Sequence, residues 1–160
     1  MVSAPVLYAE DSEDDAFLLQ RAFSQAGVSN PLVVVPNGKA VVHYLSATGP
    51  YTDRTSHPFP RLVLLDIKMP HRTGLDVLCW IRQQPELRHL TVIMLTASAQ
   101  DRDVSSAYSL GANGYLVKPS NAAGLAQLGQ DLGKLCLEPE TEGNWVLRGN
   151  RLADGVQQRS

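Results

Sequence analysis

Residues 62–70 read LVLLDIKMP, and this segment sets the pattern for the whole chain. Four apolar residues stop abruptly at Asp66, and Met69-Pro70 then turns the backbone. A short apolar run that ends in a carboxylate and a turn is typical of a strand buried on both faces. The segment therefore predicts a buried strand over 62–65 with Asp66 at its carboxyl end.

Four further apolar runs share this pattern. Three of them also stop at polar residues, namely Glu10-Asp11, Thr96 and Lys118. With the run already described, the predicted strands are 6–9, 32–35, 62–65, 92–95 and 115–117.

Each apolar run is followed by a segment whose apolar residues recur with helical spacing. Parallel strands need such crossovers to reverse the chain, so five runs alternating with five helical segments predict an α/β fold with a doubly wound parallel sheet. The residues that mark the helices are Phe17, Leu18, Ala22 and Ala26; Val41, Val42 and Leu45; Leu75, Val77, Leu78 and Ile81; Val104, Ala107, Tyr108 and Leu110; and Leu125, Leu128, Leu132 and Leu135.

Residues 47–61 break this rhythm. They are rich in Gly, Pro, Ser and Thr, and Pro58 and Pro60 do not continue a helix or a central strand. We expect an extended surface loop.

Chain length, composition and charge restrict the number of domains and the classes of partner that the chain can have. A chain of 160 residues with 44% hydrophobic residues supports one packed domain, which we place at 1–136, with a tail at 137–160 and no separate output domain. The net charge is −2 and the basic residues are scattered, so no nucleic-acid partner is expected. Residues 1–5 lack a secretory signal and no apolar run is long enough for a bilayer, which predicts a cytoplasmic protein without a membrane partner.

The polar residues at the strand ends carry the chemistry. Ligands of doubly wound folds bind at the carboxyl ends of the strands, so Glu10, Asp11, Asp66, Thr96 and Lys118 are expected to converge. Three neighbouring carboxylates repel one another, and Mg²⁺, which prefers oxygen ligands, would relieve that repulsion. Lys118 adds a second positive charge. In this setting Asp66 is a candidate nucleophile toward a phosphoryl group.

These strand endings resemble those of bacterial response-regulator receiver domains. The resemblance covers about residues 5–136 and rests on Glu10-Asp11, Asp66-x-x-Met69-Pro70, Leu95-Thr96-Ala97 and Gly114-Tyr115-x-x-Lys118-Pro119. It implies the flavodoxin-like fold of CheY with strand order 2-1-3-4-5. It also implies a phosphoacceptor in a two-component pathway rather than an enzyme acting on a separate substrate.

The same resemblance implies a role for each site residue. Asp66 would accept the phosphoryl group, while Asp11, Asp66 and the backbone carbonyl of Lys68 would bind Mg²⁺. Glu10 stands where many relatives have Asp, and it would reach the metal through water. The remaining roles are Lys118 pairing with the phosphoryl oxygens, Thr96 shifting toward them, and Tyr115 rotating inward as the aromatic part of the switch.

A narrower resemblance concerns partners. The opening Glu10-Asp11-Ser12 and the long loop are similar to those of stand-alone receivers that work with bacterial phytochromes, which are light-sensing histidine kinases. This implies a sensor histidine kinase as phosphodonor and output through protein contacts. The surface formed by the fourth and fifth helices and the fifth strand is the candidate face for signalling and for a homodimer.

Other interpretations of the same residues stay open. Asp66 or Thr96 could cap the following helix, Lys118 could be a solvated strand end, and Tyr115 could be a packing residue. A haloacid-dehalogenase phosphatase also uses a strand-end Asp, but it needs a second Asp where Lys68 stands. A flavin- or nucleotide-binding module would need a Gly-rich loop after the first strand, and none is present.

Overall fold

The computed structural model describes residues 3–137, which form five strands and five α-helices in strict alternation. The strands are β1 Val6–Ala9, β2 Leu32–Val35, β3 Leu62–Leu65, β4 Val92–Thr96 and β5 Gly114–Val117. The helices are α1 Glu13–Gln25, α2 Gly38–Ser46, α3 Gly74–Gln83, α4 Asp101–Ser109 and α5 Ala122–Leu137.

All the strand pairs are parallel, and the order across the sheet is β2-β1-β3-β4-β5. In register, Val6 of β1 lies beside Leu62 of β3, and Leu64 of β3 lies beside Ile93 of β4. The doubly wound architecture and the implied strand order are both confirmed. Because the strands are parallel, their carboxyl ends meet at one edge of the sheet.

Alternate residues of each strand pack into two separate cores, one on each face of the sheet. Val6 and Tyr8 pack with α1 and α5, whereas Leu7 and Ala9 pack with α2, α3 and α4. This period of two is the reason that each run is apolar throughout, since both faces are covered. The same alternation determines on which face of the sheet the side chain of a polar residue lies when that residue directly follows a strand.

The buried face of α1 differs from the sequence prediction. Phe17 is 60% exposed and Leu18 is 39% exposed, whereas Leu19 and Phe23 are buried against the sheet. The prediction that placed Phe17 and Leu18 on the apolar face was therefore wrong. Residues 16–19 are all apolar, so their pattern leaves the rotation of the helix ambiguous, and packing on the sheet selects Leu19.

The segment 47–61 lies at the surface, as expected, but it is folded onto the end of α2. A short 3₁₀ helix, Gly49–Tyr51, opens it. The Arg54 guanidinium then donates hydrogen bonds to the carbonyls of Tyr44 and Leu45 in the last turn of α2, and to the carbonyl of His57. Carbonyls in the last turn of a helix lack a full set of partners within it, so Arg54 adds to the bond that the Ala47 amide makes with the Tyr44 carbonyl.

The described chain ends with α5 at Leu137, one residue beyond the predicted domain boundary. The rest of the predicted tail, residues 138–160, lies outside the described residues. Within residues 3–137, no helix has the length and apolar character needed to cross a membrane.

Candidate functional site

Buried polar side chains concentrate at the carboxyl edge of the sheet. Within residues 3–137, the buried polar residues are Glu10, Asp66, Thr91 and Thr96, and all but Thr91 lie at this edge. Burying a carboxylate is costly unless it has partners. A cluster of such groups at strand ends therefore indicates a functional site rather than ordinary packing.

The structure brings the predicted acidic residues together. Glu10, Asp11 and Asp66 each offer a carboxylate oxygen, and these three oxygens all lie within 4.8 Å of one another. Glu10 and Asp66 are buried, whereas Asp11 is exposed beside them. They border an open cleft of about 450 Å³, which Lys68, Thr96 and Lys118 also line.

Lys118 is the cation that contacts the carboxylates of this cleft. Its Nζ donates to Oδ2 of Asp66 at 2.8 Å and to Oδ2 of Asp15 at 2.8 Å, and it forms a close ion pair with Oε1 of Glu10. An ammonium has three N–H donors, so each carboxylate takes one. Burial acts to lower the pKa of Lys118, but the hydrogen bonds with Asp15, Asp66 and Glu10 outweigh it and raise that pKa.

Sequence analysis missed Asp15. It lies in the first turn of α1, where the Ser12 hydroxyl caps the helix by accepting a hydrogen bond from the Asp15 amide at 3.2 Å. Asp15 is the third residue of α1, and α1 begins directly after the carboxyl end of β1, so side chains of its first turn lie at the same edge of the sheet. An acidic residue in the first turn of that helix is the signal that could have identified it.

Glu10 is surrounded by donors from the protein itself. Oε1 accepts the Tyr8 hydroxyl at 2.8 Å in addition to pairing with Lys118, and Oε2 accepts the Ser12 amide at 3.1 Å. Burial raises the pKa of Glu10, whereas the bonds from Lys118, Tyr8 and Ser12 act to lower it. Sequence analysis also missed Tyr8, although residues two apart in a strand share a face.

Asp66 is held through both its side chain and its backbone. Oδ1 accepts the Lys68 amide at 3.3 Å, and the Asp66 amide donates to the Ala9 carbonyl at 3.4 Å. Gly74, the first residue of α3, approaches so closely that a Cβ there would lie 2.1 Å from the Asp66 carbonyl oxygen. Only glycine fits at this contact, so α3 begins directly against the backbone of Asp66.

Thr96 and Tyr115 meet at Ser98. The Thr96 hydroxyl accepts the Ser98 amide at 3.5 Å, and the Tyr115 hydroxyl donates to the Ser98 carbonyl at 2.9 Å. The Ser98 hydroxyl donates in turn to Asp103 of α4 at 2.5 Å. Burial is the main cause that raises the pKa of Tyr115. Its ring is fully buried, so in this structure it already has the inward position that the switch prediction assigned to the activated form.

The residues present fit a divalent cation. Carboxylate oxygens are the ligands that Mg²⁺ prefers, and four carboxylates, those of Glu10, Asp11, Asp15 and Asp66, line a cleft to which Lys68 and Lys118 contribute two ammonium groups. This surplus of negative charge favours a cation.

Comparison with known proteins agrees with this geometry. Residues 6–129 match the family model of the response regulator receiver domain, so the chain belongs to that family. Receiver domains accept a phosphoryl group from histidine kinases in two-component signalling, and this chain has that phosphoacceptor role at the level of its family.

Individual response regulators within this family are similar to most of the chain. The response regulator Rcp1 of Synechocystis is 33% identical over 136 residues, covering 85% of this chain and 90% of the relative. The crystal structure of the Mn²⁺-bound form of Rcp1 has a TM-score of 0.75 at 32% identity and covers 88% of this chain and 99% of that one. A response regulator in red light signalling of R. palustris has a TM-score of 0.81 at 34% identity, covering 89% and 99% of the two chains.

Proposed function

We propose that Asp66 is the phosphoacceptor of this receiver domain and that a sensor histidine kinase is its donor. The observation that carries the proposal is the contact of Asp66 Oδ2 with the Lys118 ammonium at 2.8 Å, inside the acidic cluster formed by Glu10, Asp11 and Asp66. A nucleophilic carboxylate paired with a fixed cation suits transfer of an anionic group.

The transfer forms one bond and breaks one. A carboxylate oxygen of Asp66 attacks phosphorus, the bond between phosphorus and the histidine nitrogen of the donor breaks, and its electron pair leaves with the imidazole. Negative charge spreads over the phosphoryl oxygens, which the Lys118 ammonium and the Thr96 hydroxyl would contact. Water later cleaves the acyl phosphate and regenerates Asp66, so the domain is a signalling protein rather than an enzyme with a separate substrate.

Mg²⁺ is the proposed cofactor. Asp11, Asp66 and the backbone carbonyl of Lys68 would hold it directly, and Glu10 would reach it through water. When bound, the ion neutralises charge on the transferring group. The Mn²⁺-bound form of the similar protein Rcp1 supports a divalent cation at this kind of site.

Thr96 and Tyr115 are the proposed switch residues. Both are hydrogen-bonded to Ser98, which bonds Asp103 of α4, so a movement of Thr96 would reach α4 through a continuous path. The surface of α4, β5 and α5 is therefore the proposed signalling face and the candidate homodimer interface. Several similar structures are of response regulators in phytochrome or red light signalling, which supports a bacteriophytochrome as the kinase. The proposed location of the transfer is the cytoplasm.

Labelling with acetyl phosphate and Mg²⁺ tests the acceptor. The wild type should gain one phosphoryl group by intact-protein mass spectrometry, and Asp66→Asn should gain none, as should the wild type in EDTA. Asp53→Asn, a change at an exposed carboxylate of the segment 47–61, is the matched control and should be labelled normally. Equal labelling of Asp66→Asn and wild type would disprove the assignment.

A further inference from the structure

A tyrosine hydroxyl is buried in the core directly beneath the acidic cluster. Tyr8 of β1 is 1% exposed, and its ring packs with the core between the sheet and helices α1 and α5. Its hydroxyl donates to Glu10 Oε1 at 2.8 Å. Burial, together with the charge of Glu10, raises the pKa of Tyr8 far above its ordinary value, so the hydroxyl keeps its proton as a donor.

This hydroxyl completes the set of donors around Glu10. Oε1 is shared by Tyr8 and Lys118, and Oε2 accepts from the Ser12 amide. If the carboxylate turned toward Asp11, it would have to leave the buried Tyr8 hydroxyl and the partly buried Lys118 ammonium. An abandoned buried donor costs its full desolvation, which is more than the net value of an ordinary hydrogen bond.

The position of Glu10 also affects Lys118. Glu10 is the most deeply buried of the three carboxylates that contact the ammonium, with a side chain 1% exposed against 9% for Asp66 and 39% for Asp15. A charge pair gains strength as water is removed from it. Holding Glu10 in place therefore anchors the ammonium next to Asp66.

We propose that Tyr8 is a positioning residue whose hydroxyl keeps Glu10 on Lys118, so that Glu10 contacts the divalent cation only through water. The inference rests on the proposed metal site. It gives Glu10 a definite function, as the permanent counter-ion of Lys118, and it leaves Asp11 and Asp66 as the acidic side chains that bind the cation directly. Tyr8 thus lowers the affinity for the metal, and at the same time it fixes the position of the Lys118 ammonium.

Metal titration tests the first consequence. Tyr8→Phe keeps the ring in the core and removes only the hydroxyl that holds Oε1 of Glu10. A carboxylate oxygen of Glu10 already lies within 4.8 Å of those of Asp11 and Asp66, so a small rotation would then let Glu10 bind the cation directly. We expect Mn²⁺ to bind Tyr8→Phe about fivefold more tightly by isothermal titration calorimetry, the value of one net hydrogen bond. The gain should disappear when Tyr8→Phe is combined with Glu10→Gln, compared with Glu10→Gln alone.

Tyr44→Phe is the matched control for this titration. Tyr44 is also a fully buried tyrosine, but its hydroxyl donates to the Pro58 carbonyl on the other side of the sheet. Its removal should leave the Mn²⁺ affinity unchanged. Unchanged or weaker binding by Tyr8→Phe, with normal binding by wild type, would overturn the inference, whereas a wild type that binds no Mn²⁺ would instead contradict the proposed metal site.

The ammonium of Lys118 provides a test that needs no metal. In metal-free protein labelled with ¹⁵N-lysine, three carboxylate partners should slow hydrogen exchange of the Lys118 ammonium and make its signal visible by NMR. We expect Tyr8→Phe to speed this exchange about fivefold or more, because Glu10 no longer stays in place. Tyr44→Phe should not change it. An equal exchange rate in wild type and Tyr8→Phe would show that the hydroxyl does not hold the pair.

Discussion

Asp15 shares the Lys118 ammonium with Asp66. Both carboxylates accept from Lys118 Nζ at 2.8 Å, yet the Asp15 side chain is 39% exposed and that of Asp66 only 9%. Solvent screens the exposed pair, so its contribution to stability is small. Its charge nevertheless lies next to the place where a phosphoryl group would bind, which makes the residue more important for rate than for folding.

Asp15→Asn should speed phosphorylation by acetyl phosphate. Removing one negative charge beside Lys118 leaves more of the positive charge for the anionic donor, and an exposed pair of this kind corresponds to about two- to fivefold in rate. Intact-protein mass spectrometry of timed samples at low donor concentration would measure it, and the gain should shrink at high salt.

Asp14→Asn is the control for that measurement. Asp14 is exposed, adjacent in the first turn of α1, and carries the same charge. A rate increase of the same size in Asp14→Asn would mean that net charge, and not the contact with Lys118, is responsible. A slower rate in Asp15→Asn would show instead that Asp15 is needed to orient the ammonium.

The position of α3 is fixed by its contact with the backbone of Asp66 and Ile67. The helix starts with a capping box in which the Thr73 hydroxyl accepts from the Asp76 amide and the Asp76 carboxylate accepts from the Thr73 amide. Gly74 lies inside this cap and donates its amide to the Ile67 carbonyl at 2.9 Å. The start of α3 and the backbone of Asp66 therefore cannot move independently.

Gly74→Ala should damage both stability and phosphorylation. The added Cβ would lie 2.1 Å from the Asp66 carbonyl oxygen, so either α3 or the acceptor must shift. Overpacking of this kind costs about 3 kcal/mol, measurable by urea unfolding, and labelling by acetyl phosphate should slow as well. Gly114→Ala in β5 is the control, because its Cβ would meet Ile93 at an ordinary 3.5 Å. Equal stability of the two variants would contradict the close approach of Gly74 to Asp66.

Arg54 makes several of the contacts that hold the segment 47–61 against α2. Arg54 caps α2 through two carbonyls and also lies over the rings of Tyr44 and Phe59, at 5.8 and 5.6 Å from their centroids. Arg54→Ala should lower stability by about 2 kcal/mol and increase amide hydrogen exchange across the segment. Lys39→Ala, an exposed change on the same helix, should do neither. Unchanged exchange in Arg54→Ala would mean that the aromatic contacts suffice.

The buried tyrosines of the core make the stability of the whole molecule depend on pH. Burial is the main cause that raises the pKa values of Tyr44 and Tyr115, so the folded protein holds their phenolic protons more tightly than the unfolded chain does. The resulting stability is fully present below about pH 10, the ordinary tyrosine pKa, and decreases as the pH rises above it.

Urea unfolding at a series of alkaline pH values checks this effect. Each buried tyrosine should contribute a loss of at most about 1.4 kcal/mol per pH unit above pH 10. Tyr44→Phe should therefore lose stability less steeply than wild type. Leu45→Ala, which removes buried apolar surface from the same helix without removing a tyrosine, should keep the steepness of the wild type. Parallel curves for wild type and Tyr44→Phe would be inconsistent with a raised pKa.

Local pattern was sufficient to predict the strands, the parallel sheet and the edge at which the site lies. Apolar runs such as 62–65 are short and buried on both faces, and each places its following polar residue at a carboxyl end. The convergence of Glu10, Asp66 and Lys118 follows from that geometry alone.

Tertiary packing decided what no local pattern contains. The exposure of Phe17 depends on how α1 is rotated over the sheet, and the contacts of Asp15 and Tyr8 depend on where that helix and β1 meet Lys118, which is more than one hundred residues away in sequence. The fold of 47–61 likewise depends on Arg54 reaching the end of α2. Residue pattern determines which face of an element can be buried, but the partners of a side chain are set by the distances between elements, and these exist only once the sheet and helices have packed.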